Sequence, residues 1–142
     1  MKQIKTFLQL RRYLQAIPYI DEGGCGIAAL TMSRWLKQHQ KPSEIVYFYN
    51  DRSKDSFLTN ESILKYGVFV GAVSCSHAYI RLEGKLYDTN GRQTDSRQHH
   101  TVTEALAVES IKNKVGWSSP FDRDFIQFIM EDTGVDLTDI LN

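Results

Sequence analysis

The chain reads as an α+β domain because three patterns follow one another along it. Apolar residues recur at helical spacing through the first forty positions, HAYIRLEGKLYDTNG alternates about a Glu83-Gly84 turn, and helical spacing returns from about residue 101. Helices at both ends of the chain, with antiparallel strands between them, define that class. At 142 residues the chain is long enough for one compact core and too short for two, so a single domain over 1–142 is expected.

The elements follow in order. Ile4, Phe7, Leu8, Leu10, Tyr13, Leu14 and Ile17 keep helical spacing until Pro18 intervenes. After a loop over 18–24, Ile27, Ala28, Leu30, Thr31, Trp35 and Leu36 predict a second helix to about Gln40, where Lys41-Pro42 stops it. EIVYFYN and GVFVGAVS are β-rich, and TNESILKYG between them suits a short capped helix. HAYIRLEGKLYDTNG is the clearest strand signal and predicts a hairpin, whereas NGRQTDSRQHH reads as a solvated, locally basic loop. TVTEALAVESIKNK and SPFDRDFIQFIMEDTG predict two late helices, with Thr101 or Thr103 and Ser119 near their caps and Pro120 in a first turn.

Composition excludes several classes of function. Lys and Arg equal Asp and Glu at 17 each, so no net field favours nucleic acid or an anionic membrane. The longest apolar run, Val68 to Val73, is far below the ~20 residues that span a bilayer, and the N-terminus interleaves its charges, so neither a membrane helix nor a signal peptide is expected. Cys25 and Cys75 allow at most one disulfide, and a reducing cytoplasm with both thiols free is the expectation.

Chemistry concentrates at DEGGCGIAAL, residues 21–30. Cys25 falls at a helix start, where unpaired N–H groups and the positive end of the helix dipole stabilise a thiolate. Gly23, Gly24 and Gly26 are expected to let the backbone turn and a substrate approach, and the Cys25 amide suits a developing oxyanion. The competing reading is a tight loop ahead of a helix whose cysteine is simply buried. His77 decides between them: with Glu83-Gly84 as a two-residue turn, Leu82 pairs with Lys85, Tyr79 with Asp88 and His77 with Asn90. His77, Asp88 and Asn90 then share one face, either of the last two close enough to hold the ring tautomer, while Ala78, Ile80, Leu82 and Tyr87 form the apolar face. A slip of one residue would separate His77 from Asp88. Cysteine, histidine and a carboxylate or amide have the form of nucleophile, base and orienter. A zinc site from Cys75, His77, His99 and His100 lacks standard ligand spacing, so no metal and no cofactor is expected.

CGIAALTMSRWL resembles the nucleophile helix of papain-like cysteine peptidases, above all that of bacteriocin-processing peptidases and their relatives. HAYIRLEGKLYDTNG is similar to the His-strand-turn-strand-Asp segment of that superfamily and of transglutaminase-like proteins; together the matched segments, 21–40 and 74–91, cover about a quarter of the chain. The resemblance implies a papain-like α+β fold, a nucleophile helix packed on a small antiparallel sheet, with Cys25 as nucleophile, His77 as general base and Asp88 as orienting residue. It implies a peptidase or amidase acting on a peptide or protein through a thioester, in a bacterial or phage setting. The glutamine that such enzymes place shortly before the cysteine is missing: the nearest is Gln15, and Tyr19, Asp21 and Glu22 stand between. Tyr19, Gly24 and Asn90 are therefore secondary site candidates, and the Asp21 and Glu22 carboxylates are expected to point outward, away from a thiolate. The alternatives are a transglutaminase-like acyltransferase and a non-catalytic binding or inhibitory module on the same scaffold.

Overall fold

A computed structural model describes residues 4–18, 20, 24–49, 75–97, 99–112 and 122–141. The first helix, α1 (Phe7–Gln15), begins at a capping box in which Thr6 Oγ1 accepts from Gln9 N–H and the Gln9 side chain accepts from Thr6 N–H. Its Leu10 and Leu14 are fully buried, while Ile4 and Ile17, expected within the helix, flank it and pack against the core. The second helix, α2 (Cys25–Gln38), is buried at every position from Cys25 to Ser33. It ends two residues earlier than expected because Gln40 turns to φ 63°, which brings Lys41 N–H to Leu36 O at 2.8 Å.

Strands β1 (Glu44–Tyr49), β2 (Cys75–Leu82), β3 (Lys85–Asp88), β4 (Gly91–Gln93) and β5 (His99–Val102) form one antiparallel sheet in the order β4-β3-β2-β1-β5. Leu82 pairs with Lys85, Arg81 with Leu86 and Ile80 with Tyr87, so the hairpin turn is at Glu83-Gly84, both with positive φ as a type I′ turn requires. Two strands lie where a solvated loop was expected. β4 and β5 are short, polar and at the sheet edges, so neither shows the apolar alternation that marks a half-buried strand. The expected strand GVFVGAVS up to residue 74 and the expected helix TNESILKYG lie outside the described residues.

Helix α3 (Glu104–Lys112) follows β5 directly, capped by Thr103, whose Oγ1 accepts from Leu106 N–H; Thr101 is in β5 instead. Helix α4 (Arg123–Thr133) is capped by Asp122, which accepts from Phe125 N–H at 2.9 Å. Ser119 and Pro120, the residues expected there, lie outside the described residues. Gly134 closes α4 at φ 74°, and a 3-10 turn over Thr138–Ile140 brings Ile140 into the core beside Val135 and Leu137.

Strand alternation sorts the sheet into two faces. Ile45, Tyr47, Ala78, Ile80 and Val102 join the core built by the helices, with Leu82 and Tyr87 packed partly buried against it. Val46, Phe48 and Tyr79 form a second buried cluster on the other face, with Leu86 packed against it. Among the described residues no helix is long and apolar enough to cross a membrane.

Candidate active site

Cys25 is the first residue of α2, and the N-cap ahead of it is Gly24, which has no side chain to cap the first turn. The leading N–H groups have no carbonyl within the helix, and the first turn contains no acidic residue, so this end of α2 presents a positive potential to the sulfur. Gly24 itself has φ −101°, a conformation open to any residue, and a Cβ on Gly26 would meet Ile111 Cγ1 of α3 at 3.4 Å. Gly26 thus sits at ordinary contact distance from α3. Cys25 is 3% exposed.

The pairing that joins His77 and Asp88 on one face is the one the hairpin adopts, and His77 Nε2–H donates to Asp88 Oδ2 at 3.0 Å. The Cys25 thiol lies near enough to the same imidazole to favour its charged form. The carboxylate takes Nε2, so a proton exchanged with the sulfur would pass through Nδ1. Beside His77 the β1–β2 pairing shifts register: Phe48 pairs with His77 and Tyr49 with Cys75, leaving Ser76 as an extra residue. Such a bulge adds twist and re-aims neighbouring side chains, here at the end of β2 that meets the start of α2.

Asp88 is 7% exposed, and both of its oxygens are used. Oδ2 takes the imidazole, while Oδ1 accepts from Asn90 N–H at 2.9 Å and from Gln93 Nε2 at 3.4 Å. Asn90 is not across from His77 as expected. The chain turns at Thr89-Asn90 into β4, with Asp88 paired to Gly91, so Asn90 braces Asp88 through its backbone while its Oδ1 accepts from Gln15 Nε2 at 2.7 Å. The Asn90-Gly91 pair is a standard hairpin signal and was the clue to this second turn. Tyr19, Asp21, Glu22 and Gly23 lie outside the described residues.

Burial opposes the charge on His77, but the hydrogen bonds with Asp88 and Cys25, and the negative charge of both partners, outweigh it and push the imidazole up to about 9. The ring therefore favours its protonated form through neutral pH. The arrangement can hold a sulfur anion, a protonated imidazole and a fixed carboxylate in series, which are the parts of thiol acyl-transfer chemistry.

One neighbour escaped the sequence reading. Tyr79 meets the imidazole edge to face, with ring centroids 4.6 Å apart and planes at 78°, and its hydroxyl donates to Asp95 Oδ2 at 2.9 Å. Arg97 grips Asp95 through Nε to Oδ1 at 3.0 Å and Nη2 to Oδ2 at 2.6 Å. The position of Tyr79 on the face of His77 was implied by strand alternation, but its anchor lies 16 residues away in the expected loop and has no local signature.

Among the described residues, no group of three His, Cys, Asp or Glu side chains is placed to hold a metal ion. Comparison with models of known protein families, with curated proteins and with solved structures finds no match to this chain.

Proposed function

We propose that this protein is a cysteine-dependent acyl-transfer hydrolase, a peptidase or amidase built as a single papain-like domain over 1–142 and acting in the cytoplasm on a peptide or protein. One observation carries the reading: Cys25, at the uncapped start of α2, lies beside an imidazole whose Nε2 is held by the buried, doubly braced Asp88. The resemblance of CGIAALTMSRWL and HAYIRLEGKLYDTNG to papain-like peptidases points the same way.

In the proposed mechanism the proton given up by the Cys25 thiol already rests on His77, and the Cys25 thiolate attacks a substrate carbonyl carbon. The Cys25 N–H donates to the oxygen that becomes negative; one such donor contributes about 3 kcal/mol in comparable sites. Collapse of the tetrahedral intermediate breaks the C–N bond as His77 returns the proton to the leaving amine, leaving a thioester on Cys25. His77 then takes a proton from water as its oxygen attacks the thioester, and the carboxylic acid leaves with Cys25 restored. Asp88 holds Nε2–H throughout, so that Nδ1 faces the sulfur. With an amine in place of water the same thioester gives a transglutaminase-like transfer.

The low exposure of Cys25 favours a second reading, a non-catalytic binding or inhibitory module that keeps the scaffold. Incubation with p-nitrophenyl acetate followed by mass spectrometry separates the two. The catalytic reading expects acetyl transfer to Cys25 that is absent in Cys25→Ser and slowed about 10²-fold or more in His77→Ala. No acyl adduct on Cys25, or an equal rate in His77→Ala, supports the module.

A further inference from the structure

We infer that Tyr79, clamped by Asp95 and Arg97, is a positioning residue that holds the His77 imidazole in line with Cys25 and Asp88. The inference rests on the reading of Cys25 and His77 as the reacting pair. The hydrogen bond from Nε2 to Asp88 lies in the imidazole plane, so it opposes tilting out of that plane only weakly. Tyr79 adds a restraint on that tilt, since its ring stands at 78° to the imidazole at 4.6 Å.

Packing alone does not account for a tyrosine here. Its cluster partners are Val46 and Phe48, both almost fully buried, with Phe48 edge to face against it at 5.1 Å, and a phenylalanine would fill the same apolar space. The hydroxyl adds a fixed end point. It donates to a carboxylate that is itself immobilised, because Arg97 closes on Asp95 with three side-chain hydrogen bonds and one from its backbone N–H. Hydrogen bonds from Arg97 hold Asp95 down to about 2, and burial together with Asp95 pushes the Tyr79 hydroxyl up to about 12, so acceptor and donor keep these states across the working pH range. The titratable and charged groups around the imidazole are thus Cys25 on α2, Asp88 on β3, Tyr79 on β2 itself, Asp95 and Arg97 beyond β4, and His99 of β5, stacked on Phe48 at 4.7 Å.

The test follows iodoacetamide labelling of Cys25 against pH in the full chain, with melting temperature measured alongside, for wild type, Tyr79→Leu, Tyr79→Phe and Asp95→Ala. Loss of the ring is expected to loosen the imidazole and raise the midpoint of labelling in Tyr79→Leu by about one pH unit, so that labelling near pH 6 falls roughly tenfold. Tyr79→Phe, which keeps the ring, should recover most of the wild-type profile, and Asp95→Ala should shift it in the same direction by less. A folded Tyr79→Leu with a lower melting temperature but the wild-type profile overturns the inference, because a merely structural residue behaves that way. If Tyr79→Leu does not fold, Asp95→Ala decides, and an unchanged profile there overturns it equally. Wild-type protein labelling only as an ordinary thiol overturns the reading of the reacting pair, and the positioning role with it.

Discussion

Replacing Asp88 by alanine leaves the His77 Nε2–H and the Asn90 N–H without their acceptor in a site only 7% exposed, so the loss is felt at the imidazole first. Acetyl transfer to Cys25 from p-nitrophenyl acetate is expected to fall about 10²-fold in Asp88→Ala, and by less in Asp88→Asn, whose carbonyl can still accept from Nε2. Stability carries a matching pH signature. His77 is raised from 6.5 to about 9 in the folded chain, so the stability it contributes is complete below about 6.5 and is lost as pH rises through about 9. The melting-temperature advantage of wild type over His77→Gln should therefore shrink between those values; an advantage that grows with pH contradicts the assignment. The placement of Cys25 at a helix start and of His77 and Asp88 together on an alternating hairpin was legible in the sequence. Tyr79 was legible as a face but not as a contact, because Asp95 and Arg97 reach it only through the folded turn of β4.

Among the elements, the hairpin register could be read directly because Glu83-Gly84 accepts the positive φ of a type I′ turn. The following turn was missed when Asn90 was assigned to a strand, and it matters more, since it holds Asp88. Gly91, the first residue of β4 after that turn, has φ 111°, and a Cβ there would meet Arg11 Nη1 at 3.0 Å. Gly84 has φ 77° with nothing within 4 Å. Gly91→Ala is thus expected to cost about 2 kcal/mol in urea unfolding and Gly84→Ala only about 1, the difference being the clash. Equal losses would mean that the Arg11 guanidinium yields freely. At the start of α4, Asp122→Ala should cost about 1 kcal/mol in the same measurement, because Phe125 N–H loses its acceptor. The sequence reading had placed a helix over Ser119–Gly134 with its cap near Ser119, and the described helix is Arg123–Thr133; the aspartate directly before it is the stronger signal.

For the whole molecule, the order of helices, strands and helices was legible, whereas the sheet order was not. β5 joins the far side of β1 by pairing Ile45 with Val102 and Phe48 with His99, partners more than fifty residues apart in sequence. Its segment, HHTV, has too few apolar residues to announce a strand, so this pairing comes from the tertiary fold. The C-terminal segment is tied back in a similar way. Arg34 on α2 donates to both Asp139 oxygens, at 2.8 and 2.6 Å, and to Asp136 O at 2.8 Å, which lays the 3-10 turn over the core. Arg34→Met keeps the aliphatic packing and removes these bonds, and is expected to lower stability by about 1 kcal/mol, with the largest gain in amide exchange at residues 135–141. Uniform loss of protection along the chain would contradict the local role given to Arg34.

The central claim is that Cys25 and His77 form an activated pair, and the most direct measurement is the pH dependence of iodoacetamide labelling at Cys25, resolved by mass spectrometry from Cys75, in wild type and His77→Ala. Rapid labelling of Cys25 that persists well below the ~8.5 of an ordinary thiol and disappears in His77→Ala is the predicted result. Slow labelling with the same pH profile in both proteins would contradict it and leave Cys25 as a buried structural thiol.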